Sequence, residues 1–125
     1  MDYIWVGVGG SAGAIARFAM TRYAVGRFGD AYPWGTFAIN LLGAFLIGLI
    51  LTWLTERAIA APEARLVLVV GFLGGYTTFS SYTFEAVAMA QRGAWPGAVS
   101  YVLGSNVLGL TACAAGIVLA RQLHA

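Results

Sequence analysis

Between Trp34 and Thr55 the chain runs 22 residues without one charged side chain. Wound as an α-helix at ~1.5 Å per residue, such a run reaches across the ~30 Å hydrocarbon core of a bilayer. Three more segments share that length and character, giving four at roughly residues 3–25, 34–55, 64–91 and 95–120. The 125 residues are 60% hydrophobic and 10% charged, with more apolar surface than one small water-soluble core could enclose. The solvent is therefore lipid. The sequence reads as a single all-α integral membrane domain of four transmembrane helices.

Turn and charge signals mark the breaks. Gly26-Arg27-Phe28-Gly29-Asp30 precedes Pro33, Glu56-Arg57 precedes Pro62 and Glu63, and Arg92-Gly93 precedes Pro96. The first segment does not read as a cleavable signal: it contains Arg17, lacks a basic leader and is followed by spans of similar character. Seven arginines against five acids, with no lysine, give a net charge of +2. That charge is too diffuse for a nucleic-acid surface. Cys113 is alone, so no internal disulfide can form. Short loops and no soluble domain leave little room for an enzyme, and no enzymatic activity is expected.

Gly7-Val8-Gly9-Gly10-Ser11-Ala12-Gly13 imitates a dinucleotide fingerprint, with Asp30 near the distance of a ribose contact. That motif needs a strand before it and a βαβ unit around it. Inside a membrane span the glycines read instead as close helix packing, with Gly9 and Gly13 as a GxxxG pair. Gly43, Gly48, Gly104 and Gly109 read the same way.

Outside the first span, the arginines divide evenly. Arg57, Arg65 and Arg121 fall on the side of the termini and middle loop; Arg22, Arg27 and Arg92 fall on the other. Orientation normally follows an excess of positive charge in cytoplasmic loops. Three against three gives no such excess, so the chain is expected to insert both ways and pair as an antiparallel dimer.

The third span carries the least expected stretch, Gly74-Gly75-Tyr76-Thr77-Thr78-Phe79-Ser80-Ser81. Two glycines and four Thr and Ser hydroxyls make a poor helix interior. A break there, near residues 74–79, exposes carbonyls of one half-helix and amides of the other, and such ends can hold ions near the midplane. Interhelical hydroxyl bonding is the simpler account of one or two such residues, but not of four beside a double glycine.

Other polar groups form stripes. Thr36 and Asn40 share a face of the second helix; Tyr101 and Ser105 share one of the fourth, with Asn106 beside them. Asn40 would be costly at that depth without a partner, and an interhelical clamp is its structural alternative. These side chains offer donors, Arg17 adds a cation, and Glu85 is the only acid well inside a span. A donor-rich, acid-poor lining suits an anion. Phe79 and Tyr82, at i,i+3, would add ring edges, the positive part of the aromatic quadrupole.

Gly74 to Tyr82, with Glu85 beyond, resembles the GGxTTFSTF signature of the small fluoride channels called Fluc or CrcB. Supporting matches are the Gly-rich first helix with Arg17, Gly35-Thr36, Asn40-Leu41-Leu42-Gly43, and Tyr101 with Ser105. The resemblance implies a dual-topology homodimer in a prokaryotic cell membrane. It would contain two antiparallel pores that let cytoplasmic fluoride leave passively. It also implies a central structural sodium ion held by the carbonyls of Gly74 and Thr77 from both subunits. The family's phenylalanine box maps onto Phe79 and Tyr82, its pore asparagine onto Asn40, and its polar track onto Thr36, Ser81, Tyr101 and Ser105. Arg17 and Glu85 would belong to the vestibule. Two positions depart: Tyr82 replaces the usual second Phe, and Gly109 stands where some members have Ser.

A four-helix proton-coupled multidrug exporter is the alternative. It would need a carboxylate in the first span, where this chain has Arg17 and no acid. A non-conducting assembly subunit is a third reading, which ion flux would distinguish.

Overall fold

The computed structural model describes residues 1–57 and 61–124. The described residues form helices joined by short turns. In chain order these are α1 (Asp2–Phe28), α2 (Trp34–Glu56), α3 (Pro62–Ala64), a π-helical stretch (Arg65–Leu73), α4 (Gly74–Tyr76), α5 (Phe79–Gln91) and α6 (Trp95–His124). From α3 to α5 the chain forms one long candidate span, Pro62–Gln91, broken within.

Among the described residues three helices are long and apolar enough to cross a membrane: Trp34–Glu56, Pro62–Gln91 and Trp95–Leu123. The expected span over residues 3–25 is also a helix, and at 27 residues it has the length. Its composition is weaker, because glycines and Arg17 replace large aliphatic side chains. The helix ends follow local chemistry. Gly29 takes φ 78° after α1 and Gly93 takes φ 83° after α5, a region open to glycine without strain. Pro62 occupies the first turn of α3, where its missing N–H leaves no bond unmade.

Packing rests on close backbone approach. A Cβ at Gly9 would meet the carbonyl of Val67, and one at Gly13 the carbonyl of Phe72, so this pair fits α1 against the π-helical stretch. Gly48 of α2 and Gly116 of α6 do the same against Cys113 and Phe45. Gly104 meets only the Phe37 ring, at 3.5 Å, and Gly109 has open space within the chain. Gly109 is thus not a packing residue inside the protomer: spacing along a helix does not say which face meets a neighbour. Tyr101, Ile39 and Met89 are the largest fully enclosed side chains.

The two ends of the bundle are tied by arginines. Arg121 pairs with Glu56 at 2.9 Å and Arg57 donates to the Leu123 carbonyl at 3.1 Å. At the other end Arg92 donates to the Ala31 carbonyl at 2.6 Å. Arg57 and Arg121 therefore share one end while Arg92 lies at the other, as the arginine division expects.

Candidate functional site

The break in the long span falls at two residues. Thr77 (φ −82°, ψ 156°) and Thr78 (φ −147°, ψ 122°) are extended between helical neighbours. Before the break, the Thr77 amide and hydroxyl both donate to the Leu73 carbonyl, at 3.0 and 2.8 Å. After it, Thr78 caps α5, its Oγ1 accepting the Ser81 amide at 3.1 Å.

Donors that would close the helix here are diverted. In an unbroken helix the Thr78 amide would serve the Gly74 carbonyl, and the Ser81 amide the Thr77 carbonyl. Instead Thr78 donates to Asn40 Oδ1 at 2.9 Å and Ser81 to the Thr78 hydroxyl. The break leaves the carbonyls from Gly74 to Thr77 without their usual amide partners, and Gly74 and Thr77 are two of these four. Both line a cavity of about 570 Å³ with Asn40, Gly43, Thr78 and Phe79. The neighbouring Gly75 carbonyl accepts Arg17 Nε at 3.0 Å, which sets a cation against the end of the first half-helix.

A second cavity, about 390 Å³, lies across Thr78. Arg17, Thr36, Ser81 and Glu85 line it, together with Ser80 and Thr78 itself. The structure thus gathers four expected residues around hydroxyls, one cation and one carboxylate. Thr78 borders both cavities.

The remaining expected residues form an aromatic and hydroxyl group beside α6. The Phe79 and Tyr82 rings lie 5.7 Å apart at 46°, and Tyr82 lies 5.2 Å from Tyr101. Phe79 is 76% exposed on the protomer, whereas Tyr101 is fully enclosed. Glu85 Oε1, the Tyr101 phenol and Ser105 Oγ are buried and find no hydrogen-bond partner among the described residues. Buried polar atoms are nearly always paired, with protein, water or a bound group. The Glu85 carboxylate, the Tyr101 phenol and the Thr36 hydroxyl nevertheless lie within reach of one another, so they form one buried polar group.

Asn40 has a role that the sequence left open. Its Oδ1 accepts the Thr78 amide and its Nδ2 donates to the Thr78 carbonyl, each at 2.9 Å. The carboxamide thus replaces a missing backbone neighbour for one residue of the break, and one amide hydrogen remains for another acceptor. Sequence reasoning did not single out Thr78 as the pivot. The Thr78 to Ser81 cap spacing was its only local signal. The hydrogen bond from Asn106 Nδ2 to the Tyr82 hydroxyl, at 2.9 Å, was also missed, since it joins different helices.

The profile of the family "CrcB-like protein, Camphor Resistance (CrcB)" matches residues 4–117. A relative from Koribacter versatilis named fluoride-specific ion channel FluC is 41% identical over 98% of this chain and 97% of its own length. One from Phenylobacterium zucineum with the same name is 47% identical over 96% of this chain and 95% of its own. Another from Acidobacterium capsulatum is 42% identical with both chains fully covered. With a profile match across most of the sequence and relatives aligned nearly end to end, the chain belongs to the CrcB family of multi-pass membrane proteins.

Proposed function

We propose that the protein is a passive, fluoride-selective channel, working as an antiparallel homodimer and letting cytoplasmic fluoride leave the cell. The observation that carries this reading is the break at Thr77 and Thr78, inside the candidate membrane span Pro62–Gln91 and between a largely apolar cavity and a hydroxyl-bearing one. Relatives nearly as long as the chain itself are named fluoride-specific ion channels.

Fluoride is small and strongly hydrated, so a path must replace its water with close donors and still release it. Arg17 draws the anion toward the hydroxyl-lined cavity. Thr36 and Ser81 line that cavity, and Tyr101 and Ser105 offer buried hydroxyls beyond it. Phe79 and Tyr82 contribute ring edges. Asn40 holds the break in shape while offering one further N–H.

Support for the dimer comes from what one chain leaves open. Gly74 is exposed, and it lines the largely apolar cavity beside the break. Irregular backbone is not stable against lipid and needs protein or a wet cavity over it. A second copy supplies that cover, α1 serves as the fourth span, and the even arginine division favours opposite insertion of the two copies. A sodium ion fits the donor set: the carbonyls of Gly74 and Thr77, freed from helical bonding, are hard oxygen ligands that suit a hard cation. Bound there, the ion would supply a fixed positive charge and join the two subunits.

Purified protein in liposomes tests the reading. Fluoride efflux should proceed without a pH gradient or ATP, and chloride efflux should be far slower. Comparable chloride flux removes the selectivity claim, and a strict need for a proton gradient restores the exporter.

A further inference from the structure

Tyr82 stands where the resembled signature has Phe, and its hydroxyl is not idle. Asn106 Nδ2 donates to it at 2.9 Å and also to the Val102 carbonyl, one turn back on α6, at 2.8 Å. A carbonyl can only accept, so the Val102 contact fixes the nitrogen end of the amide toward these partners. Both amide hydrogens are then committed. The Tyr82 oxygen must accept, and its own proton is turned away from Asn106. No acceptor for that proton is found among the described residues.

We propose that Asn106 is a positioning residue for the ion path: by occupying a lone pair of the Tyr82 oxygen, it leaves the phenol O–H aimed as a donor to the permeating anion. This rests on the channel reading above. Three features support it. The ring is already at the expected path, 5.7 Å from Phe79 and 5.2 Å from Tyr101. An N–H donated to a hydroxyl oxygen polarises it and strengthens the bond that hydroxyl donates in turn. A polar amide exposed on a membrane helix is also unfavourable without a task, and Asn106 is so placed. A side chain that donates to Tyr82 and anchors itself on its own helix holds the phenol rotor without offering it a competing acceptor.

A simple interhelical tie would also join Asn106 to Tyr82, so the test must separate the two roles. Fluoride flux into liposomes is measured against fluoride concentration for the parent, Asn106→Ala, Tyr82→Phe and the double variant, with dimer content and thermal stability recorded for each. A donor lost from the path weakens anion binding. Both single variants should therefore raise the half-saturating concentration about fivefold, with maximal flux and dimer content kept. The double variant should be no worse than Tyr82→Phe, because without the phenol Asn106 has nothing to position. Tyr82→Phe supplies the signature's own side chain and preserves the ring, so it reports even if Asn106→Ala folds poorly. An unchanged half-saturating concentration in both single variants, with any loss confined to stability or maximal flux, overturns the proposal in favour of a tie. A full effect of Asn106→Ala in the Tyr82→Phe background overturns it as well. Absence of fluoride flux from the parent overturns the channel reading itself, and the proposal with it.

Discussion

Asn40 holds Thr78 by both of its backbone polar groups, accepting the amide and donating to the carbonyl at 2.9 Å each. A side chain from α2 thereby replaces the helical neighbours that an extended residue inside a membrane span has lost. The arrangement needs an acceptor and a donor on one planar group, which the carboxamide supplies without titrating.

Asn40→Asp should therefore abolish fluoride flux. The carboxylate can still accept the Thr78 amide but faces the Thr78 carbonyl oxygen with no hydrogen between them. It also sets a like charge near the anion path. At ~4 Å and an effective dielectric of about 20, that repulsion reaches roughly 4 kcal/mol, enough for about a thousandfold loss. Asn40→Ala should reduce stability by about 1–3 kcal/mol for each backbone group left unpaired. Flux assays with size-exclusion chromatography distinguish the two effects, and the dimer should persist in the aspartate variant. Normal flux through Asn40→Asp would leave Asn40 a clamp only.

The break was legible in the sequence, but its mechanism was not. Gly74 to Ser81 announced a poor helix interior by composition, and the structure places the extended residues at Thr77 and Thr78, inside the expected interval. The helices were equally legible, because long stretches without charge have few other ways to fold. Their ends extend beyond the expected bounds, α1 to Phe28 and α6 to His124, since a helix continues until a residue such as Gly29 turns it. The clamp on Thr78 depends on the register between elements 38 residues apart, which no local pattern encodes. The same holds for Asn106 and Tyr82, and for Gly109, whose spacing resembled that of a packing glycine. The π-helical winding from Arg65 to Leu73 had no signal in the sequence either.

Orientation offers a prediction independent of the pore. Arg57, Arg65 and Arg121 are matched by Arg22, Arg27 and Arg92, so tagged protein should appear in both orientations in cells. Adding two or three arginines to loops on one side should bias insertion to a single orientation and, if the proposed antiparallel dimer is the conducting form, lower flux. Accessibility labelling of the tags reads the outcome. A single orientation of the unaltered chain would defeat the argument from balance.

Thr77 should act through its backbone. Thr77→Ser keeps the hydroxyl that reaches Leu73 and loses a methyl packed near Gly43, a change of about 1 kcal/mol in stability at most. If the proposed sodium site is real, sodium-dependent dimer stability should survive it. Thr77→Pro should abolish that dependence even though φ at −82° is within reach of proline. The substitution removes the amide that binds Leu73 and disfavours the helical conformation of Tyr76 before it. Dimer melting in sodium and in a large organic cation gives the comparison. Sodium-dependent stabilisation that persists in the proline variant would place the ion elsewhere.

Phe79 carries the most demanding test of the aromatic group. Its ring is 76% exposed on the protomer, so little of its area contributes to the protomer's own core. Within the candidate span Pro62–Gln91, a side chain of that exposure meets lipid, lines the path or, in the proposed dimer, meets the second copy. Phe79→Ile keeps bulk and apolarity but removes the quadrupole whose positive edge attracts an anion. If the edge is part of the path, losing ~1.5 kcal/mol of favourable interaction should lower flux about tenfold while the dimer stays intact. If the ring is only filler against lipid or the partner, isoleucine fills nearly the same space and flux should hold. Liposome flux at matched dimer content separates these cases. Parent-like conduction by Phe79→Ile would remove Phe79 from the ion path and leave Gly74 to Ser81 as a packing motif.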